Sequence, residues 1–140
     1  VKYEPGELRV VAYDKAGNVA AEKCVVTAGK PYAVRLMADR TTLEATGEDL
    51  AYGNVSVVDK AGNPVPTESR EVQVKVTGAG KFRAMANGDP TSLELFHLPK
   101  MHLFSGQLTT LVQSGTTSGE IEVTVTAKGL KPATLKLQVE

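Results

Sequence analysis

The sequence predicts an all-β fold built as an antiparallel sandwich. Apolar and polar residues alternate with period two in several segments, as in Ile121, Val123 and Val125. This pattern is typical of antiparallel strands with one buried face and one wet face. Turn signals recur about every eight to twelve residues, which is the spacing of an immunoglobulin-like sandwich. Segments of helical length are interrupted by Gly or Pro before apolar residues can repeat at helical spacing. The predicted class is therefore an antiparallel immunoglobulin-like β-sandwich.

The strands follow from the alternation in chain order. They are predicted at 8–14, 18–27, 33–38, 50–58, 71–77, 80–87, 107–113, 119–128 and 132–139, with a short extra strand near 93–96 or 101–104. Proline-containing stretches at 30–31, 63–66 and 89–90 separate them, because proline cannot donate to a central ladder. The least regular segment, 89–105, contains both histidines and is expected to be a long connection over the sandwich edge.

The start of the chain is predicted to belong to a different domain from the rest. Residues 1–28 contain only two strand patterns, and an isolated hairpin is marginally stable in water at best. The segment 27–31 reads as a short linker, and residues 29–140 supply enough strands for one sandwich. We therefore expect residues 1–28 to be a β-hairpin remnant, the last strands of a preceding immunoglobulin-like domain, and residues 29–140 to be a complete one. The unpaired edges of such a hairpin favour edge-to-edge association.

A five-residue turn motif occurs twice in the chain. Asp14-Lys15-Ala16-Gly17-Asn18 recurs as Asp59-Lys60-Ala61-Gly62-Asn63, each time after an apolar strand. Asp accepts hydrogen bonds from the backbone two residues on, and Gly and Asn tolerate positive φ, so both copies are predicted to be turns. Two similar turns, or two related domains, would explain the repeat.

The charges of the chain are balanced, with 16 Lys and Arg against 16 Asp and Glu. A nucleic-acid or membrane partner is therefore not predicted, because neither a basic stripe nor an apolar run of ~20 residues is present. The first residues have no signal-peptide pattern, so we expect the chain to be a piece of a longer protein. The single cysteine, Cys24, is expected to be a small buried hydrophobe in a strand.

An ordered set of motifs runs the full length of the chain. It includes Tyr3-Glu4-Pro5-Gly6-Glu7-Leu8, Leu36-Met37-Ala38-Asp39-Arg40, Val57-Val58-Asp59-Lys60-Ala61-Gly62-Asn63-Pro64-Val65-Pro66, Asn87-Gly88-Asp89-Pro90 and Gly119-Glu120-Ile121. Together these motifs resemble the C-terminal immunoglobulin-like region of glycoside hydrolase family 2 enzymes of the β-galactosidase type, particularly those of Bacteroides-like bacteria. The chain departs from the family at Ser105, where an Asn often precedes the Gly of a turn.

The resemblance implies a parent that is a retaining β-galactosidase or a related exo-glycosidase. The two catalytic glutamates of that family lie in an upstream barrel domain, and none of their motifs occurs in this chain. The implied partners are the upstream catalytic and immunoglobulin-like domains of the same chain, and the implied location is periplasmic or secreted.

The sequence offers candidate residues for two kinds of site chemistry, glycoside hydrolysis and metal binding. Glycoside hydrolysis needs two carboxyls in a cleft, but the pairs Glu48-Asp49 and Glu120 with Glu122 are interpreted as strand-edge or solvated-face residues. His97 and His102, with Asp89 and Glu94 nearby, do not make up the three or four ligands that zinc needs. Neither a catalytic residue nor a metal site or cofactor is therefore predicted. Asn87-Gly88-Asp89-Pro90 is interpreted as a tight turn.

Carbohydrate binding is the functional alternative, with a glycan as a further partner. Sugar-binding modules stack pyranose rings on exposed aromatics, and this chain has no Trp, four Tyr and three Phe. The candidate sugar-binding residues are Tyr52, Phe96, His97 and His102, whereas Phe82 is expected in the core. The first hypothesis remains a non-catalytic accessory domain that packs on or stabilises its parent enzyme, and an adhesin-type surface domain is the third.

Overall fold

The computed structural model describes residue 2 and residues 4–140, and in this part of the chain all regular structure is β. The strands are β1 (Glu7–Tyr13), β2 (Val19–Val26), β3 (Pro31–Ala38), β4 (Thr42–Leu43), β5 (Leu50–Asp59), β6 (Glu71–Gly78), β7 (Gly80–Ala86), β8 (Lys100–His102), β9 (Gln107–Ser114), β10 (Gly119–Ala127) and β11 (Ala133–Val139). Helices are absent from the described residues, so none there could cross a membrane.

Strands β3 to β11 form two sheets. The five-stranded sheet has the order β4-β11-β10-β6-β8, and the four-stranded sheet has the order β3-β5-β9-β7. Pairing within them is antiparallel except for the short parallel contact of β4 with β11. The all-β, immunoglobulin-like sandwich predicted from the alternation is confirmed.

The predicted strands are all present, with ends that differ by at most two residues. The short extra strand also exists, as β8. Strand β4 was missed, because a strand of two residues is too short to show a period.

The core lies between the two sheets and is made mostly of inward-facing aliphatic residues. Val55 and Val57 from β5 and Val123 and Val125 from β10 are each at most 1% exposed. Phe82 packs against this core, as expected. The two sheets are joined between β6 and β7 at Gly78, whose φ is +95° and where a Cβ atom would overlap the Glu120 carbonyl group. Glycine is therefore required where the chain passes from one sheet to the other.

The connection between β7 and β8 crosses from the four-stranded to the five-stranded sheet, as expected for the irregular segment. The Met85 N–H donates to the Phe96 carbonyl (2.8 Å), and the Val74 N–H donates to the Pro99 carbonyl (2.9 Å). These two bonds attach the connection to β7, an edge strand of the four-stranded sheet, and to β6 of the five-stranded sheet. After β8, Ser105 adopts a φ of +50°, in the left-handed region that residues other than glycine seldom occupy.

Strands β1 and β2 pair only with each other and form a separate two-stranded sheet. Every residue of this hairpin is exposed except the half-buried Val11. The expectation that Cys24 is buried is wrong for the described structure, because Cys24 is exposed. It pairs with Arg9 across the hairpin, on a face that nothing in the described structure covers.

Candidate functional site

The structure divides the four predicted sugar-binding residues between different parts of the sandwich. Tyr52 lies on β5 in the four-stranded sheet and is 46% exposed. Phe96 and His97 lie on the connection between β7 and β8, and Phe96 is 59% exposed. His102 lies on β8 in the five-stranded sheet. The connection thus places Phe96, His97 and His102 along one edge of the sandwich, and Tyr52 belongs to the other sheet.

His102 is bound by the carboxylate of Glu94. The Glu94 oxygens accept the His102 backbone N–H at 3.1 and 3.2 Å, and one of them lies 2.9 Å from His102 Nδ1. Partial burial opposes ionisation of Glu94, but the hydrogen bonds from His102 outweigh burial and lower the pKa of this carboxyl group. Asn87 Nδ2 also donates to the His102 carbonyl at 2.9 Å. Glu94 and Asn87 therefore fix the connection onto β8.

The four candidate metal ligands do not converge. Asp89 accepts from the Thr91 N–H (2.8 Å) and hydroxyl (2.7 Å), while its own N–H donates to the Asn87 side chain (3.0 Å). Gly88 has a φ of +76°, so the segment is the tight turn that the sequence indicated. Within the described ranges, clusters of three or more ligands suited to a metal ion are absent.

The candidate carboxylates act as acceptors for the fold. Asp49 receives the Glu44 N–H at 2.9 Å and Arg40 Nη1 at 3.1 Å, and these partners, the backbone bond first, lower its pKa despite some desolvation. Glu120 lies 2.9 Å from Lys136 Nζ. Carboxyl groups whose pKa departs clearly from its usual value are all shifted downward in the described residues, namely Asp14, Asp49, Asp59, Glu68, Asp89 and Glu94.

An open groove, here called the sheet groove, runs along the outer face of the five-stranded sheet. Its floor is formed by Gln73, Thr124 and Thr126, and Leu98 and Pro99 form one wall. Its two halves have cavity volumes of about 490 and 650 Å³ and share Gln73 and Thr126. Of the four predicted sugar-binding residues, only His102 lines this groove. The period-two pattern marked the floor residues as outward-facing, but sequence alone does not show which outward residues form a depression.

One face of the hairpin is almost wholly apolar, and the other mixes charged and apolar residues. Its pairing places on one side the residues here called the hairpin apolar face, Leu8, Val10, Ala12, Ala21 and Val25, together with Lys23. The opposite side also holds Val11, Cys24 and Val26. It carries an ion pair in which Arg9 Nε lies 2.7 Å from Glu22 Oε1. Leu8, Val10 and Val25 are each at least 60% exposed. The sequence predicts that the hairpin belongs to a preceding domain, and the pairing identifies which of its sides is the apolar one.

The match to a known family agrees with the resemblance that the sequence motifs indicated. The family described as glycoside hydrolase family 2 C-terminal domain 5 matches residues 34–136. The β-galactosidase BoGH2A of Bacteroides ovatus is 39% identical over 140 residues, which are 100% of this chain and 16% of that protein.

Two solved structures have the same fold over the whole chain. A glycosyl hydrolase family 2 member from Bacteroides cellulosilyticus matches with a TM-score of 0.92 and 31% identity, over 100% of this chain and 18% of that one. A β-glycosidase from Bacteroides vulgatus matches with a TM-score of 0.94 and 27% identity, over 99% of this chain and 18% of that one. The chain thus spans less than a fifth of the length of each relative.

Proposed function

The chain belongs to the C-terminal domain 5 family of glycoside hydrolase family 2, and from this premise we propose that it is a non-catalytic accessory domain of a β-galactosidase-like enzyme. In this proposal the domain packs on its parent and stabilises it. Residues 1–28 are the last strands of the preceding domain, and residues 29–140 are the accessory domain itself. The observation that carries the proposal is the exposed hairpin apolar face.

An exposed apolar strand face is stabilised when another part of the protein packs against it. Burying a Val or Leu side chain stabilises a protein by roughly 1.5–3 kcal/mol, and Leu8, Val10 and Val25 do not gain this in the described chain. The Arg9–Glu22 ion pair on the opposite side suits contact with solvent. The preceding domain of the parent would therefore cover the hairpin apolar face and leave the face with the Arg9–Glu22 ion pair in water.

The carboxylates support the non-catalytic part of the proposal. A glycosidase needs a carboxylic acid whose pKa is raised, so that it can protonate the leaving group. The pKa values of Asp49, Glu68 and Glu94 shift in the opposite direction, because N–H groups or cations hold these carboxylates. An aryl β-galactoside incubated with the 140-residue chain should be hydrolysed no faster than in buffer. Turnover above buffer by the purified chain would contradict this part of the proposal.

The docking of the hairpin can be tested with two adjacent valines on opposite faces. Val10→Asp places a charge on the apolar face, and Val11→Asp places the same charge on the opposite face, which already carries the Arg9–Glu22 ion pair. In the parent enzyme, Val10→Asp should lower stability by about 3 kcal/mol or more, because a carboxylate would be buried without a partner. The effect is measured as the melting temperature of the parent.

The isolated chain provides the control for this pair. Val10 is 62% exposed there and Val11 is half-buried, so Val10→Asp should be no more harmful than Val11→Asp in the isolated chain. In the parent enzyme, Val10→Asp should instead be the more destabilising of the two variants. A parent that tolerates Val10→Asp as well as Val11→Asp does not cover the apolar face, and the proposal fails.

We infer the location of the parent from the family resemblance, as periplasmic or secreted. Cell fractionation of a native host, with an antibody against this domain, would test it. Recovery of the parent in the cytoplasmic fraction would contradict it. The adhesin-type alternative is less favoured than the accessory domain, because the family match connects the chain to glycoside hydrolases.

A further inference from the structure

The sheet groove has an excess of positive charge that the rest of the chain does not share. Arg70, Lys75, Lys100 and Lys128 line it, against the single carboxylate of Glu71. The whole chain carries equal numbers of cationic and anionic side chains. A depression lined by one sign of charge raises the local concentration of oppositely charged ligands.

Two of these cations are free to bind a ligand. The other two already have acidic partners, since Lys100 lies 4.0 Å from Glu71 and Arg70 lies 2.7 Å from Glu68. Across the part of the chain that the structure describes, Lys75 and Lys128 have no carboxylate within ion-pair distance. Lys75 lies beside the groove floor, because it pairs with Thr124 across the sheet.

The neutral part of the groove offers both polar groups and an apolar surface. The Gln73 amide and the Thr126 hydroxyl are exposed, and neither hydrogen-bonds to another described residue. Leu98 and Pro99 supply an apolar wall beside them. A sugar ring presents hydroxyl groups at its rim and C–H groups on its faces. The polar groups of the groove would hydrogen-bond to the hydroxyls, and the apolar wall would pack against the C–H groups.

We propose that the sheet groove binds an acidic oligosaccharide, a glycan that carries uronic acid carboxylates. Lys75 pairs with a carboxylate, Gln73 and Thr126 hydrogen-bond to ring hydroxyls, and Leu98 and Pro99 pack against C–H groups. A sugar fits better than an acidic peptide, because the floor is a sheet face. Its backbone groups are used between β6 and β10 and cannot pair with a peptide strand. This site is independent of the docking of the hairpin.

The test is a nuclear magnetic resonance titration of the 140-residue chain with trigalacturonic acid, with neutral galactotriose as the matched ligand. Amide signals of Gln73, Lys75, Lys100 and Thr126 should shift with the acidic ligand, with a Kd of about 1 mM, and affinity should fall as salt is raised. The neutral ligand should bind at least about tenfold more weakly.

Two lysines on the same sheet face separate site binding from general charge attraction. Lys75→Gln should weaken binding of the acidic trisaccharide about fivefold or more. Lys136→Gln should leave it unchanged, because Lys136 lies on β11 outside the groove and pairs with Glu120. The proposal is overturned by absent shifts at about 10 mM ligand, or by equal affinity for galactotriose. Equal losses of affinity in Lys75→Gln and Lys136→Gln would also overturn it. So would tighter binding of a glutamate tripeptide at the same residues.

Discussion

Asp14 and Asp59 build two turns that agree bond for bond. Asp14 Oδ1 accepts the N–H groups of Ala16 (2.8 Å) and Asn18 (2.9 Å), and Asn18 Nδ2 reaches Oδ2 at 3.2 Å. Asp59 makes the same three bonds within its own turn, at 2.9, 2.9 and 3.1 Å. The repeated motif is thus one local structure used twice, as predicted from its Asp, Gly and Asn residues.

One bond distinguishes the second turn from the first. Asp59 Oδ2 also accepts the N–H of Gly29 at 2.8 Å, which joins the start of the sandwich to the end of β5. This bond is the largest cause that lowers the pKa of Asp59 to about 2, against the opposing effect of desolvation. Asp59 therefore anchors the junction between hairpin and sandwich, whereas Asp14 serves only its own turn.

Replacing Asp59 by Asn should expose this role through its pH dependence. The pKa of Asp59 falls from 3.8 to about 2 on folding, so its contribution is complete above the unfolded pKa and is lost as pH falls through the folded one. Asp59→Asn should lower the melting temperature at neutral pH, because an amide N–H₂ would face the Gly29 N–H. The difference in melting temperature between Asp59→Asn and the unmodified chain should disappear as the pH falls from about 4 to about 2.

Asp14→Asn is the matched control, since it changes the same atoms in a turn that lacks the junction bond. It should leave the melting temperature of the sandwich nearly unchanged at every pH. Hydrogen exchange adds a local measurement: the Gly29 amide should exchange faster in Asp59→Asn only. Equal loss in both variants, or a gap that does not vary with pH, would refute the anchoring role.

Single residues were predictable where their chemistry acts locally. The two turns and the core position of Phe82 follow from short segments. The burial of Cys24 could not be predicted in this way, because it depends on what covers the hairpin. The pKa of the Cys24 thiol is raised, by desolvation and then by Glu7, which argues against an activated nucleophile.

At the scale of strands, alternation locates the elements but not their irregularities. In β7 the register shifts between Phe82 and Ala84, so the buried position moves from Phe82 to Met85, which is fully buried. A β-bulge of this kind adds one unpaired residue and reverses the faces beyond it. Strand order is likewise absent from the local pattern, because it depends on pairs such as β10 with β6 that are distant in sequence.

Strand β9 contains a polar residue where its pattern requires an apolar one. Thr110 lies between Leu108 and Val112 on the inner face, is fully buried, and its hydroxyl has no hydrogen-bond partner in the described structure. A buried hydroxyl without a partner costs roughly 1–3 kcal/mol. Thr110→Val should therefore raise the free energy of unfolding by about 1 kcal/mol in urea denaturation.

The neighbouring threonine provides the comparison for this change. Thr109 is half-buried on the outer face of the same strand, so Thr109→Val should alter stability by less than about 0.5 kcal/mol. If Thr110→Val instead destabilises the chain, the hydroxyl has a partner such as a buried water, and the interpretation of β9 is wrong.

For the molecule as a whole, the sequence separated two units that the structure describes very differently. The sandwich has a continuous core between its sheets, whereas the hairpin has no buried face. The sheet groove was not predictable, because it forms only when the connection before β8 folds beside β6 and β10. The split of the predicted sugar-binding set between the two sheets was not predictable either, since aromatic content does not show which sheet a residue joins.

The separation of the two units leads to a prediction for a shortened chain. A protein of residues 29–140 retains the bond from Gly29 to Asp59 and all strands of both large sheets. Its melting temperature should therefore lie within about 4 °C of that of the 140-residue chain, a shift that corresponds to less than about 1 kcal/mol. Hydrogen exchange of the 140-residue chain should show fast exchange in β1 and β2 and slow exchange in β5 and β10. If the preceding domain of the parent covers their apolar face, as we propose, β1 and β2 should be protected there as well as the sandwich. A shortened chain that loses cooperative unfolding would show instead that residues 1–28 are part of the sandwich, and the boundary at residue 29 would be wrong.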